Sequence, residues 1–106
     1  MIRIAISAAS IAFALPASAA GFDIQVDNFF VQDGIASAVM KVTNNTGAAA
    51  ESVYIDCVFL DGDRRAIEIG KALIPAIQAG GYAYDKASAV TGDAVKYAEC
   101  GVRKSR

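Results

Sequence analysis

Four segments of the chain alternate apolar and polar residues with a period of two, and this pattern constrains the fold more than any other feature. Such alternation is typical of half-buried β-strands, because successive side chains point to opposite faces of a sheet. The rows expected to face a core are Phe22-Ile24-Val26, Ala36-Ala38-Met40-Val42, Val53-Ile55-Cys57-Phe59 and Ala94-Ala98-Cys100-Val102. In the last segment, Val95, Tyr97 and Glu99 are expected on the opposite face. The pattern predicts an all-β fold.

Turn signals separate these segments. They are Asp33-Gly34, Asn44-Asn45-Thr46-Gly47, Asp61-Gly62, Gly80-Gly81 and Thr91-Gly92. These residue types tolerate positive φ or bond to their own backbone, and Asp61-Gly62 predicts a hairpin. Residues 66–78 and 87–98 fit a helical stripe as well as a strand. Pro75 and Gly92 would interrupt those helices, so strands are favoured.

The first 20 residues have the layout of a secretory signal peptide. Arg3 gives a positive start, an apolar run spans residues 4–15, and Pro16 is followed by small residues that a signal peptidase accepts. The run is shorter than the roughly 20 residues that a membrane-spanning helix needs. Export is therefore expected. The short alanine-rich leader has a bacterial style, which indicates the periplasm or the medium as the destination.

Cleavage is predicted before Ala20 or, preferably, before Gly21, which leaves residues 21–106 as a single domain. Single domains typically contain about 50 to 200 residues. Loss of Arg3, the leader's charged residue, changes the net charge from −1 to −2. This balance argues against nucleic acid or an anionic membrane as a partner. No later segment is long and apolar enough to predict a membrane span.

Cys57 and Cys100 are the two cysteines of the chain. An even pair in an exported chain predicts a structural disulfide. Closing a loop of about 40 residues would stabilise the fold by roughly 4 kcal/mol, a large contribution for a small domain with a thin core. Two buried free thiols are the alternative. A redox-active pair is disfavoured, because such pairs usually lie in a Cys-x-x-Cys turn.

The chain contains no histidine. It therefore lacks the commonest general base and the commonest transition-metal ligand. A Ser-His-Asp or Cys-His arrangement cannot be built from this chain alone. No catalytic residue and no cofactor are predicted, and the expectation is a protein that is not an enzyme.

A likeness to a known family covers residues 36 to 84. It rests on an Asn-rich strand end, on an alternating segment that leads through Phe59 into a hairpin, and on a later Gly-containing turn: residues 42–46, 53–62 and 77–82. These segments resemble the small exported Ig-like domains of the FxLYD type, although Leu60 follows Phe59 with no tyrosine before the hairpin aspartate. The resemblance implies an Ig-like antiparallel β-sandwich of about six or seven strands. It carries no catalytic residues, and such domains are mostly interaction modules.

The aromatic side chains supply the first candidate site. They include Phe29, Phe30, Tyr54, Tyr82, Tyr84 and Tyr97. Tyr54 and Tyr97 fall opposite the core-facing rows that hold the cysteines, so they share an exposed face if those two strands are adjacent. Exposed tyrosines are good interface anchors. The favoured function is a small, disulfide-stapled, exported protein that binds a protein partner in the cell envelope or the medium.

Three aspartates supply the second candidate site. Asp56, Asp61 and Asp63 offer carboxylate oxygens, and Ca²⁺ takes six to eight oxygen ligands. The structural interpretation is that Asp61-Gly62-Asp63 is a polar hairpin turn and that Asp56 faces solvent. The alternative function is accordingly a Ca²⁺- or small-ligand-binding module that uses the Asp61–Asp63 loop.

Overall fold

The computed structural model describes residues 21–106, and these residues form six β-strands. The strands are β1 (Phe22–Gln32), β2 (Ile35–Asn44), β3 (Ala50–Leu60), β4 (Ala66–Ile77), β5 (Tyr82–Val90) and β6 (Tyr97–Lys104). All neighbours pair antiparallel in the order β1-β2-β5-β4-β3-β6. The predicted all-β antiparallel fold is confirmed. The leader predicted for residues 1–20 lies outside the described residues.

The strand order is that of a Greek key. Strands β3, β4 and β5 follow one another through hairpins, and β6 returns to lie beside β3. Strand β2 lies beside β5 rather than beside its successor β3. The connections of residues 45–49 and 91–96 therefore each lead to a strand that is not the sheet neighbour of the one before. No helix in the described part of the chain is long and apolar enough to cross a membrane.

The sheet curls into a half-barrel, so that its two end strands approach each other. Phe29 of β1 stacks on Phe59 of β3 with 6.3 Å between ring centroids, which closes the sheet over its core. Within residues 21–106, one ladder pair, Lys71 with Ser88, joins β4 to β5. The sheet thus divides into a β2–β5 half (β1, β2 and β5) and a stapled half (β4, β3 and β6). An Ig-like sandwich stays a prediction.

Gly70 lies where the two halves meet. A Cβ atom at this position would lie 2.9 Å from Cε2 of Phe59 and 3.0 Å from the carbonyl oxygen of Ser88. Real Cβ contacts are longer, so only a residue without a side chain lets the phenyl ring and the β5 backbone come this close. The absence of a side chain therefore allows the junction.

The inner faces of the two halves differ in bulk. In the β2–β5 half, three of the fully buried side chains are alanines: Ala36, Ala38 and Ala87. Met40 and Val42 are the larger fully buried side chains of this half. In β3 the fully buried row is Val53, Ile55, Cys57 and Phe59. Burial of one Val, Ile or Phe side chain contributes about 1.5–3 kcal/mol relative to exposure. The rows predicted for the second and third segments are confirmed.

The last predicted row is partly wrong. Strand β6 begins at Tyr97, and residues 91–96 are a connection without strand pairing. Outside a strand the period of two does not hold: Val95 is buried in the core and Ala94 is exposed, the reverse of the prediction. The rest of the row, Ala98, Cys100 and Val102, packs against the core as predicted.

The two ambiguous stretches have different outcomes. Residues 66–77 form the long strand β4, which confirms the preference for a strand, and Pro75 is exposed there. Residues 87–98 divide into the end of β5, the 91–96 connection and the first two residues of β6. Gly92 lies in that connection with a φ of 79°, a left-handed value that favours glycine.

The predicted turns connect the strands. Asp33 and Gly34 have φ values of 55° and 75° between the paired residues Gln32 and Ile35. Two central residues with positive φ are the requirement of a type I′ hairpin, whose twist matches that of the flanking strands. Residues 61–65 form the predicted hairpin loop between β3 and β4.

Asn44, the last residue of β2, is a fully buried polar side chain that ties the halves together. Its Nδ2 donates to the carbonyl oxygens of Ala48 at 2.8 Å and Ile77 at 3.0 Å. Its Oδ1 accepts from the backbone N–H of Thr46 at 3.0 Å and from the Thr46 hydroxyl at 2.7 Å. Since Ile77 ends β4, this amide links the β2–β5 half to the stapled half.

Candidate functional site

Cys57 and Cys100 form the predicted disulfide. They lie directly opposite each other on β3 and β6, with 2.03 Å between the sulfur atoms and 4.0 Å between the Cα atoms. The described residues contain no free cysteine, so the alternative of two free thiols does not hold. A disulfide is compatible with an exported protein, because such bonds persist in oxidising compartments.

The outer face of the stapled half is covered by ion pairs. Asp56 of β3 accepts from Lys71 of β4 at 3.3 Å and from Arg103 of β6 at 3.4 Å. Arg64 of the hairpin loop pairs with Glu99 of β6 at 3.0 Å. The charges on this face are therefore largely neutralised by partners within the chain.

Tyr54 and Tyr97 lie on adjacent strands, as the prediction required, but not next to each other. Tyr54 is opposite Lys104 and Tyr97 is opposite Leu60, six residues further along β3. At about 3.3 Å per residue the two tyrosines are roughly 20 Å apart. Cations lie over both rings, Arg64 at 4.4 Å from the Tyr97 centroid and Lys104 at 5.0 Å from the Tyr54 centroid. Tyr54 and Tyr97 therefore do not form one patch, and each ring is covered by a cation of the same chain.

The three aspartates predicted for calcium are not brought together. Oδ1 of Asp61 accepts the backbone N–H groups of Asp63 and Arg65, each at 2.9 Å, which fixes the hairpin loop. Asp56 is instead paired with Lys71. Among residues 21–106 there is no group of three His, Cys, Asp or Glu side chains that could hold a metal ion. The geometry favours the structural interpretation, a polar hairpin turn.

The outer face of the β2–β5 half has a different character. Along it, five cross-strand pairs face outwards: Thr43–Tyr82, Lys41–Tyr84, Val39–Lys86, Ser37–Ser88 and Ile35–Val90. Tyr82 and Tyr84 are 60% and 56% exposed. Their rings stand nearly perpendicular, at 84°, with 5.8 Å between centroids, and Nζ of Lys41 lies 4.4 Å from the Tyr82 centroid. We call Lys41, Tyr82, Tyr84 and Lys86 the tyrosine–lysine strip.

A shallow groove of about 360 Å³ continues from the strip towards the β1–β2 hairpin. Its lining is mixed: Phe30, Gln32, Asp33, Ile35, Ser37, Lys86 and Ser88. The hydroxyl oxygens of Ser37 and Ser88 are 2.8 Å apart and share a hydrogen bond across the two strands. Lys86 belongs to both features, so the groove and the strip form one continuous surface.

Tyr82 and Tyr84 are among the aromatic side chains named from the sequence, but they were not predicted to share a surface. The signal was available in the alternation of residues 82 to 90. Tyr82, Tyr84 and Lys86 occupy one face, while Ala83, Asp85, Ala87 and Ala89 occupy the other, where Asp85 is the one large polar residue. That pattern predicts a strand whose small side is buried and whose large side is exposed.

Comparisons with models of protein families, with curated proteins and with solved structures find no match to this chain. The likeness to FxLYD-type domains therefore stays a prediction from the residues.

Proposed function

We propose that this protein is exported and acts by binding another protein in the cell envelope or the medium. The observation that carries the proposal is the tyrosine–lysine strip, an exposed aromatic and cationic surface on strands held by a paired sheet. Tyrosine is enriched among residues that dominate binding energy. Presenting such side chains on a preorganised sheet lowers the entropic cost of association.

Export is supported by the leader pattern of residues 1–20 and by the Cys57–Cys100 disulfide. The test is cell fractionation followed by mass spectrometry of the non-reduced protein. We expect the protein in the periplasm or the medium, beginning at Ala20 or Gly21, with a mass two hydrogens below that of the dithiol. A cytoplasmic protein with an intact N-terminus and free thiols would overturn the export proposal.

Binding is tested by chemical cross-linking in the native cells, followed by affinity purification of the full chain. Two matched double variants are compared with the wild type: Tyr82→Ala with Tyr84→Ala, and Tyr54→Ala with Tyr97→Ala. We expect one specific partner that is lost in the Tyr82→Ala, Tyr84→Ala variant and kept in the Tyr54→Ala, Tyr97→Ala variant, with circular dichroism showing that both variants are folded. Recovery of no specific partner by the wild type contradicts the proposed function.

We also propose that the two halves of the sheet correspond to the two layers of an Ig-like sandwich. The Greek-key order and the single ladder pair between β4 and β5 support this interpretation. Nuclear Overhauser effects between facing backbone protons measure how far the β4–β5 pairing extends. A ladder along the full length of β4 and β5 would instead define one continuous barrel wall.

A further inference from the structure

We propose that the tyrosine–lysine strip binds a short acidic segment of a partner protein. In this arrangement an apolar side chain of the partner occupies the angle between the Tyr82 and Tyr84 rings, and flanking carboxylates pair with Lys41 and Lys86. The inference rests on the proposed function and deepens it by naming the surface and the partner's chemistry.

The charge of the strip points to an acidic partner. The outward positions of β2 and β5 include two lysines and no aspartate or glutamate, and carboxylates lie beside them at Asp23 of β1, opposite Thr43, and at Asp33 in the groove. Within residues 21–106, neither Lys41 nor Lys86 forms an ion pair, whereas Lys71 of the stapled half does. The chain as a whole has a net charge of −1, so the strip is locally positive on a slightly negative protein. Complementary potentials across interfaces favour a negatively charged partner.

The shape of the strip favours a protein side chain over a flat ligand. The rings of Tyr82 and Tyr84 are nearly perpendicular, and Lys41 already lies over the face of Tyr82. A sugar ring or a nucleobase cannot stack on both rings at once. A compact apolar side chain can contact both, because it needs only the edge of one ring and the face of the other.

The position of the strip determines how a partner is recognised. Strand β2 pairs with β1 and β5 along its length, so its backbone is not available to a partner. Strand β5 pairs fully with β2, but with β4 only through Ser88 and Lys71. The side chains of the strip point out of the sheet plane, so recognition through them does not require a free strand edge.

The size of the strip fits a short segment. Two strands with about nine facing residues span roughly 30 Å by 10 Å, on the order of 300 Å². A standard stable interface buries about 800 Å² on each partner. A peptide-sized contact with a dissociation constant of about 1 μM or weaker is therefore expected.

The test is an NMR titration of the ¹⁵N-labelled, disulfide-bonded protein with two matched capped peptides. One carries a single leucine flanked on both sides by glutamates, and the other has lysine in place of every glutamate. We expect the acidic peptide to shift the amide signals of β2 and β5, with an affinity that falls about tenfold or more at high salt. The basic peptide should give no saturable shift. Equal binding of both peptides, or of neither, overturns the proposal.

Variants locate the site. Tyr84→Ala and Lys86→Glu should each weaken the acidic peptide about tenfold or more, which corresponds to about 1.4 kcal/mol. The control Tyr54→Ala removes an outward tyrosine from the stapled half and should leave the affinity unchanged. The dissociation constant of the acidic peptide is measured for each variant. Dispersed amide signals show that the variant is folded. A loss on Tyr54→Ala with none on Tyr84→Ala overturns the proposal.

Two further NMR measurements show whether a different ligand binds the strip. Polygalacturonate, an anionic polysaccharide, should shift the strip less than the acidic peptide, and tighter binding of the polysaccharide would assign the surface to a glycan. Concentration-dependent shifts of the protein alone would assign it to a second copy of the chain. If the peptide fails but cross-linking recovers a partner, the inference fails and the proposed function stands. If cross-linking recovers no partner, the proposed function fails independently of the peptide result.

Discussion

The two halves of the sheet share the same strand geometry but differ in their buried side chains, their cross-links and their outer faces. In the stapled half, β3 carries the bulky buried row, and a disulfide and three ion pairs of the described residues bind β6, β4 and the hairpin loop around it. In the β2–β5 half, alanines line much of the inner face, and the outer face exposes tyrosines and lysines. The disulfide and the ion pairs of the described residues lie in one half, while the exposed tyrosine–lysine strip lies in the other.

The exposed strip lies on strands that are joined to their neighbours by backbone pairing. Strands β1, β2 and β5 are joined by antiparallel ladders along most of their length, and none of the three ion pairs of the described residues involves them. Substitution of outward side chains in this half is therefore expected to affect stability less than substitution in the stapled half. If this division is correct, stability variants and binding variants should map to different halves.

The largest expected effect comes from removing the staple. Cys57→Ala with Cys100→Ala should lower the free energy of unfolding by about 4 kcal/mol, since the unfolded chain regains the freedom of a long loop. Urea denaturation measures the loss. Because β6 pairs only with β3 among the described strands, hydrogen exchange should first rise in residues 97–104. An equal rise in β1 and β2 would show that the halves do not behave separately.

Asn44→Ala is expected to cost about 3 kcal/mol. The variant removes four side-chain hydrogen bonds, among them the buried bond from Nδ2 to the carbonyl oxygen of Ile77. Since this amide links the halves, its loss should reduce the cooperativity of urea unfolding as well as its midpoint. The matched control is Asn45→Ala at an exposed position, which should change stability by less than about 0.5 kcal/mol.

Gly70→Ala tests the contact between the halves directly. The added Cβ would press on Phe59 and on the Ser88 backbone, so a loss of about 1–3 kcal/mol is expected from overpacking. Gly101→Ala is the control, because nothing lies within 4 Å of a Cβ at this strand position. It should be neutral or stabilise by about 0.5 kcal/mol, since glycine weakens strands. Equal effects in thermal melts of both variants would contradict the tight junction at Gly70.

The stapled half was largely predictable from sequence, and the reason is physical. A strand that is buried on one face shows a period of two, so the row from Val53 to Phe59 identified β3, its inner face and the buried position of Cys57. Residues 91–96 could not be predicted in the same way. The position of Val95 depends on the path of a connection, and this path is set by where β5 ends and β6 begins rather than by local alternation.

The candidate surface was harder to predict than the fold. Tyr54 and Tyr97 were predicted to share a face on the condition that their strands are adjacent, and the strands are adjacent. The distance between the two tyrosines depends on the register, which places them six residues apart along β3. Register is fixed by turn geometry and long-range packing and is not visible in one sequence. Lys41 and Tyr84 face each other across β2 and β5 for the same reason, although 42 other residues separate them in the chain.

The smallest expected effect concerns the ion pairs that distinguish the two outer faces. Asp56→Asn removes both partners' contacts with the carboxylate, yet the Lys71 and Arg103 side chains are 66% and 46% exposed. Exposed pairs typically contribute up to about 1 kcal/mol and are screened by salt. We therefore expect a loss below about 1 kcal/mol at low ionic strength that disappears near 1 M salt, where the screening length is about 3 Å.

Lys41→Met, in the other half, should show no such salt dependence in parallel urea titrations, because Lys41 has no ion pair among the described residues. A larger, salt-insensitive loss for Asp56→Asn would mean that this carboxylate has a packing role as well as a charge.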